Sequence, residues 1–491
     1  MNGIPLDRDI FCNRTLNLRS IRAIGYDLDY TLVHYHTDRW EGRVYEHAKA
    51  RLAGRGWPVE GLTFDPRRMI QGLTIDLEHG NLIKATRFGY VIRAAHGSQM
   101  LSFDELRRTY AGTVVDLSED RWVFLNTLFS LSESTLFAQV VDLADAGAIG
   151  EVVGYEDLYR SVREALDSVH AEGRLKQEIA SDPDRFIDVD ADTVAALRDQ
   201  RDAGKQLLLI TNSEWEYAGR MLAHVVDPYM DGGTWRDLFD VVIVSSDKPR
   251  FFSGDQQLYR MVDEERALLR PHRGPIEAGS VYFGGCAARV EESLGLSGDE
   301  ILYVGDHLFG DVHASKSTLR WRTALVMREL EDEIAALRAF AKDERRLTAM
   351  MTEKESLEWR LAESQLSRQR RRRERRRGTG EPRVRELDRG IEETRAALAR
   401  LDEEIAPLAI AAGSLNNPTW GLLMRAGADK SLFARQVERY ADVYTSRVSN
   451  FLHATPNAFL RAHRSPLPHD VIQGPGGHGP PGEGLSDAAN R

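Results

Sequence analysis

Residues 21–32 read IRAIGYDLDYTL. The first half, IRAIGY, is a short, mostly apolar run of the kind that forms a strand covered on both faces. The second half follows at once with two carboxylates, Asp27 and Asp29, at i and i+2, and both project into one site if the strand unwinds where it ends. Three more runs of this type lie further along: QLLLI at 206–210, VVIVS at 241–245 and ILYV at 301–304. Helical stretches separate them, and the alternation predicts an α/β fold built on a doubly wound parallel sheet. Ligands of such sheets sit beyond the carboxyl ends of the strands, so the residues after each run are the ones to read for chemistry.

After the first run, the pair Asp27 and Asp29 suits phosphoryl transfer. That reaction needs one ionised carboxylate as nucleophile, which a bound magnesium ion favours, and a second that gives a proton to the leaving oxygen and then activates water. Asp27 and Asp29 are assigned these roles in that order. After the second run, Thr211, Asn212 and Ser213 offer hydroxyl, amide and backbone donors where a helix is about to start, an arrangement suited to phosphate oxygens. After the third, Lys248 can neutralise charge on the phosphoryl group and on the nucleophile. After the fourth, GDHLFGD at 305–311 places Asp306 and Asp311 in a glycine-flanked loop, where a hard cation takes oxygen ligands. Asp306 is the expected direct ligand, Asp311 is expected to hold the metal's waters or to orient Lys248, and His307 reads as loop structure. The order acid pair, threonine, lysine, acid pair is far more specific than any of its parts.

Residues 27–205 separate the first two runs, far more than a βα connection requires, so an inserted α+β cap domain is expected at 69–181. Within it, NLIKATRFGYVIRAAHGSQ at 81–99 alternates around a glycine turn and reads as a hairpin, and 157–179 reads as an amphipathic helix and its exit. The core then divides into a first part at 1–68 and a second at 182–327. From 328 the composition shifts to Glu, Arg, Leu and Ala, and GTGEP at 378–382 interrupts the helical pattern. Beyond it Val384, Leu387, Ile391, Thr394, Leu398, Leu401 and Ile405 keep one stripe, which predicts an antiparallel coiled-coil hairpin over 328–405. The arginine run at 370–377 reads as its solvated tip. A C-terminal helical region packing on the core is expected at 406–465, with a helical segment at 431–451, and a disordered tail at 466–491.

With 491 residues, 42% of them hydrophobic, the chain can bury more than one core. A formal charge of -11 opposes general binding to nucleic acid or to a membrane surface. Cys12 and Cys286 are the only cysteines, which suits a reducing compartment and makes cytoplasm the expectation. Residues 1–22 do not read as a signal peptide, and no apolar run reaches the length of a membrane span.

The strings YDLDYTL, TNSEWEY, DKPRFF and YVGDHLFGD together resemble the haloacid-dehalogenase-like superfamily of phosphohydrolases, and in their extended form its cytosolic purine 5′-nucleotidase branch. The resemblance spans roughly residues 16–463. It implies a Rossmann-like core with an inserted cap and a magnesium-dependent 5′-nucleotidase acting on IMP or GMP through an aspartyl-phosphate, with phosphotransfer to a nucleoside as a side reaction. It implies Asp27 as nucleophile and magnesium ligand, Asp29 as general acid/base and ligand through its backbone carbonyl, Asp306 as the remaining protein ligand, and Thr211, Asn212, Ser213 and Lys248 as phosphate holders. The string VREALDSVHAEGRLK at 162–176 matches the family's substrate helix and carries Arg163, Asp167, His170 and Lys176 to nucleobase and phosphate recognition. Arg163 and Asp167, four apart, share a helix face where a donor fork and an acceptor can read the edge of a 6-oxopurine. Phe129, in LNTLF, matches the base-stacking aromatic. Asn126, Gln436 and Arg439 match parts of a nucleotide effector region, and the family's assembly implies a homo-oligomer, dimer or tetramer. Asp116 stands where an arginine is expected, so activation by adenine nucleotides is not carried over.

Two other readings stay open. The same chemistry on a sugar phosphate is one, because the inserted domain sets specificity. The other is a helical assembly protein working through the hairpin, against which stand the intact Asp27, Asp29, Lys248 and Asp306. Arg163 and Asp167 discriminate: facing the site they favour a base, and paired on the surface they weaken it.

Overall fold

Strand β1 (Ala23–Tyr26) lies in the middle of a ten-stranded sheet. On one side it is followed by β2 (Gln206–Ile210), β3 (Val241–Val244) and β4 (Ser280–Gly284). On the other side come β5 (Ile301–Gly305), β6 (Arg322–Val326) and β7 (Val443–Thr445). All of these strands pair in parallel. The spatial order β7-β6-β5-β1-β2-β3-β4 therefore reverses direction between β1 and β5, and that reversal opens a crevice at the carboxyl ends of these two strands. Antiparallel strands close the edges, Phe11–Cys12 beside β7, and Leu258–Asp263 with Leu268–Pro271 beside β4.

The sheet is covered on both faces, and the alternation along each strand shows it. Leu207 and Leu209 of β2 belong to one apolar cluster with Ile24, Tyr26, Val242, Leu302 and Val304. Leu208 and Ile210 belong to another with Val241, Ile243, Ile301, Tyr303 and Trp321. Each such aliphatic side chain stabilises the fold by about 1.5–3 kcal/mol when fully buried, so these short strands are held by packing more than by their own propensity.

The computed structural model describes residues 6–150, 154–171, 173–376 and 384–464. They fall into two compact units, one drawn from Met1–Arg338 and Gly413–Ala462, the other from Ala339–Ala412 and His463–Arg491. Between β1 and β2 the first unit carries α1 (Thr37–Gly54), α2 (Leu131–Asp145), α3 (Tyr155–Ala171), α4 (Arg174–Ser181) and a second, wholly antiparallel sheet. The hairpin expected at 81–99 is part of that sheet, Asn81–Ala85 pairing with Val91–His96.

In the second unit, α5 (Leu330–Arg376), which starts in the first, faces α6 (Val384–Gly413). Ion pairs join Arg346 to Glu404, Lys354 to Asp402 and Arg368 to Asp388. Rising numbers on one helix thus meet falling numbers on the other, so the two run antiparallel. Their apolar seam contains Met350, Leu401 and Ile405.

The helical segment expected at 431–451 is corrected. An α-helix occupies Leu432–Tyr440, Val443–Thr445 is instead β7, parallel to β6, and short helical turns resume only at Val448–Asn450 and Phe451–Ala454. The polar, helix-forming neighbours hid three residues whose conformation is set by pairing. Strands β4 and β6 are two further parallel strands beyond the four expected. Arg377, the last residue of the arginine run, and the tail at 466–491 lie outside the described residues. Among the described residues no helix is long and apolar enough to cross a membrane.

Candidate active site

β1 ends at Tyr26 and the chain turns out of the sheet at once. The carbonyl of Leu28 accepts hydrogen bonds from the amides of Thr31, Leu32 and Val33, and Tyr30 takes a φ of 52°, in the left-handed region. This is the unwinding that lets Asp27 and Asp29 share a site. Both line a cleft of about 840 Å³ beyond the carboxyl ends of β1, β2, β3 and β5.

Lys248, carried by the loop after β3, is buried between two acids, with Nζ 2.7 Å from Asp27 Oδ1 and 2.8 Å from Asp311 Oδ1. Its third hydrogen goes to the Tyr303 hydroxyl at 3.0 Å, and Tyr303 in turn donates to the Ile210 carbonyl at 2.8 Å. An ammonium has three hydrogens, so the group is saturated and fixed. Burial works against its charge, but Asp27 and Asp311 outweigh burial and hold it protonated. Asp311 touches Lys248, and its oxygens also lie beside those of Asp27 and Asp306, so its position suits both roles expected for it. The approach depends on Gly305, where an added Cβ would stand 2.5 Å from Asp311 Oδ2.

Carboxylate oxygens of Asp27, Asp306 and Asp311 all lie within 4.8 Å of one another, and all three residues are buried. Burial, then the charge of Asp311 beside it, pushes Asp27 up to about 7 against the pull of Lys248. Burial and the charges of Asp311 and Asp27 push Asp306 well above the usual carboxylate range. One lysine does not balance these acids, and an all-oxygen donor set short of positive charge fits a hard divalent cation. His307 is loop structure, as expected: its Nδ1 accepts from the Gly310 amide at 2.8 Å.

Thr211, Asn212 and Ser213 line the same cleft, and all three side chains have partners within the protein, Thr211 Oγ1 accepting from the Ser213 amide at 3.0 Å. Asn212 Oδ1 accepts from the Lys248 amide at 2.7 Å and Asn212 Nδ2 donates to the Lys248 carbonyl at 3.1 Å, which ties the ends of β2 and β3 together. Ser213 Oγ donates to Asp29 Oδ2 at 2.5 Å.

The opposite wall comes from the segment between β1 and β2. Leu158, Val162, Leu166 and Val169 of α3 are buried, and the other side of the helix presents Arg163 and Asp167 to the cleft. These two are half exposed and paired with each other at 3.0 Å, and Arg163 also meets the buried Glu133 at 3.0 Å. Lys176 of α4 lines the cleft and donates to Ser213 Oγ at 3.1 Å. Phe129 lines it too, with its ring edge-on to Tyr30 at 4.8 Å and Trp40 at 5.7 Å. The side chain of His170 lies outside the described residues. Asn126 reaches the cleft, whereas Gln436 and Arg439 belong to the helix Leu432–Tyr440 and are not among its lining residues.

A family model described as the 5′ nucleotidase family matches residues 10–472. The chain belongs to that family. The family's enzymes are the 5′-nucleotidases, and the match takes in every strand of the central sheet and every cleft residue named above. The chain is 28% identical over 482 residues to the 5′-nucleotidase domain-containing protein 2 of Rattus norvegicus, covering 94% of this chain and 80% of that one. The Homo sapiens protein of the same name is also 28% identical, with 94% and 85% covered. Among solved structures, an archaeal β-phosphoglucomutase from a Pyrococcus species aligns with 62% of this chain and 87% of its own at 11% identity, with a TM-score of 0.30.

Four residues of this 5′ nucleotidase family site escape a reading of the sequence. Tyr303 sits inside the apolar run of β5 and shows itself only through its bond to Lys248. Glu133 is a buried acid in the first turn of α2, and its oxygens accept from Tyr159 at 2.5 Å and from Arg163. Burial, opposed by Arg163, raises its carboxyl above the ordinary range. Tyr35 donates to Asp29 and meets Tyr217, which comes from a distant segment, and no spacing announces that. The one signal available was an acidic residue in a buried helical stripe, which marks Glu133 as paired.

Proposed function

We propose that this chain is a magnesium-dependent 5′-nucleotidase that hydrolyses purine nucleoside monophosphates, IMP or GMP, with Asp27 as nucleophile and Asp29 as general acid and base. The observation that carries the reading is the lysine-clamped carboxylate: Asp27 is fixed 2.7 Å from Lys248 in the crevice where the strand order reverses, with Asp29 lining the same cleft. Asp27, Asp306 and the backbone carbonyl of Asp29 would hold magnesium, which supplies charge neutralisation for the phosphoryl oxygens and favours the ionised nucleophile.

Asp27 attacks the phosphorus and forms an aspartyl-phosphate, while Asp29 gives its proton to the departing ribose oxygen. Asp29, now ionised, takes a proton from the water that attacks the aspartyl-phosphate, which releases inorganic phosphate and restores both acids. Lys248 stabilises the charge that gathers on the transferring oxygens, and the Thr211 hydroxyl and the Asn212 backbone amide receive the phosphate. Residues 69–181 act as the cap that selects the ester, with Arg163 and Asp167 reading the base edge and Phe129 flanking it. A homo-oligomeric state and a cytoplasmic location belong to the same reading, supported by the family resemblance and by two free cysteines.

One observation favours a different phosphoester: Arg163 is already engaged by both Glu133 and Asp167, so a base must share or displace these partners. Phosphate release from IMP, GMP, AMP, CMP, UMP and sugar phosphates, with magnesium or EDTA and with Asp27→Asn as control, separates the two. Magnesium-dependent purine cleavage abolished by Asp27→Asn sustains the proposal. Preference for a sugar phosphate moves the substrate, and no release from any of them rejects the reading.

A further inference from the structure

Asp29 has a different set of partners from the other acids of the site. Lys248, the one cation at its centre, has given all three hydrogens to Asp27, Asp311 and Tyr303. Asp29 is held instead by neutral hydroxyls. Tyr35 donates to its Oδ1 at 2.5 Å and Ser213 to its Oδ2 at 2.5 Å. The Tyr35 hydroxyl also meets that of Tyr217 at 2.9 Å. A phenol has one hydrogen, and that of Tyr35 goes to Asp29, so Tyr217 must be the donor of the second bond. The chain Tyr217 to Tyr35 to Asp29 thus runs in one direction, and each bond polarises the next. On the far side, Lys176 donates to Ser213 Oγ at 3.1 Å and stands 4.9 Å above the Tyr217 ring.

We propose that Tyr35 and Tyr217 are positioning residues for Asp29, holding its carboxyl at the angle from which it protonates the leaving oxygen. The inference rests on the reading of Asp29 as general acid given above. Its physical basis is the crowding of charge in the cleft. An unheld Asp29 would be pushed by Asp27 and Asp306, acids that the one lysine does not balance, off the angle that the leaving group requires. Two hydroxyls, one on each oxygen, pull it back without adding charge, and each oxygen keeps a second lone pair for the cleft side. Both tyrosines are buried, and burial and the nearby Asp29 carboxylate raise both phenols above the ordinary range, so they remain donors. Tyr35 is itself locked, its ring packed 4.3 Å from Trp40 and 5.3 Å from Tyr30.

The test uses the full-length protein with magnesium and compares two leaving groups. A nucleoside monophosphate needs its ribose oxygen protonated as it departs, whereas 4-nitrophenyl phosphate does not. kcat/KM covers the steps through phosphoryl transfer, so it reads the acid alone. Tyr35→Phe keeps the packed ring and removes the donor. It is expected to lower kcat/KM about 10- to 100-fold for the nucleotide through kcat, with KM unchanged, and by less than about threefold for the aryl ester. Tyr217→Phe should show the same selectivity at smaller size, and should add little in the Tyr35→Phe background because both act through one bond. Equal losses on both esters, or no loss on either, overturn the proposal. Wild-type protein that cleaves neither ester removes the acid the tyrosines would serve and rejects the nucleotidase reading with it, an outcome distinct from a variant effect.

Discussion

Lys248 is the residue on which the site's charge balance turns. Removing one partner of a buried ion pair costs about 3–5 kcal/mol, because the charge left behind is uncompensated. Lys248→Met is therefore expected to lower phosphate release at least about a hundredfold and to lower the melting temperature as well, whereas Asp27→Asn, which removes a charge from a site with too many acids, should lower activity and leave the melting temperature unchanged or higher. A loss of melting temperature in Asp27→Asn equal to that in Lys248→Met would contradict this account of the balance. The same imbalance predicts that magnesium stabilises the wild-type protein, by about 2.7 kcal/mol when the ion is at a hundred times its dissociation constant. Thermal shift against magnesium concentration measures this, and Asp306→Asn should flatten the curve. At this scale much was legible in the sequence. Asp27, Asp29, Lys248, Asp306 and Asp311 each follow a strand, and a strand's end points at the crevice whatever lies between. Tyr35, Tyr217, Tyr303 and Glu133 were not legible, because each acquires its role from a contact that sequence order does not encode. The side chain of Asn212 was read as a phosphate ligand, and its amide is spent on the backbone of Lys248.

At the scale of elements, the link from β5 into the following turn sets Asp306 and Asp311. The chain passes through a π-helical turn at Leu308–His313, and Gly305 leaves the space that Asp311 fills. Gly305→Ala should push Asp311 off Lys248, at a cost of about 1–3 kcal/mol of stability and a drop of more than about tenfold in kcat. Full activity in that variant would show that the contact is dispensable. The short strand His34–Tyr35, which pairs with Ile187–Asp188, offers a separate handle. His34 is buried among Arg328, Arg447, Asp188 and Asp190, and burial followed by the two arginines lowers its imidazole to about 3. The unfolded chain binds that proton near pH 6.5 and the folded one only near 3, so the contribution is complete above pH 6.5 and is lost by about 1.4 kcal/mol per pH unit as pH falls between them. Glu41 and Glu329, raised to about 7 by burial, work in the opposite sense, since the folded state holds their protons longer. The informative quantity is thus a difference. Urea unfolding at pH 5, 6 and 7 should show His34→Phe losing less stability on acidification than wild type, and parallel slopes would exclude His34 as the cause. β1, β2, β3 and β5 were legible because a buried parallel strand is a continuous apolar run. β4, β6 and β7 were not. In β4 the run is cut short by Gly284 and Gly285, β6 begins on an arginine, and β7 is three residues that pairing with β6 makes into a strand.

The molecule as a whole divides into two units, and only one of them contains the cleft. The acids, the lysine and the wall formed by α3 and α4 all belong to Met1–Arg338 and Gly413–Ala462, so the chemistry needs nothing from the seam between α5 and α6. That seam is thin. Among the described residues of 339–412, Phe340 and Met350 of α5 and Ile391, Leu401 and Ile405 of α6 are its buried apolar side chains, with Leu347, Leu357 and Leu408 packed beside them. Ion pairs along exposed helix faces add only about 0–1 kcal/mol each, so the apolar contacts decide whether the hairpin stays closed. A unit with so small a core opens more often than one built on a double-faced sheet. Leu401→Ala should cost about 2 kcal/mol, the lower end for a buried leucine because the site is near solvent, and so raise the open fraction of the hairpin about thirtyfold. Trypsin finds many arginines in α5 and α6, and at low protease concentration cleavage follows the open fraction. Mapped cleavage within 339–412 should therefore accelerate by about that factor, while phosphate release by the intact variant stays within about twofold of wild type. If cleavage instead spreads into the central sheet, or phosphate release falls in step with it, the two units unfold together and the catalytic core depends on the hairpin after all.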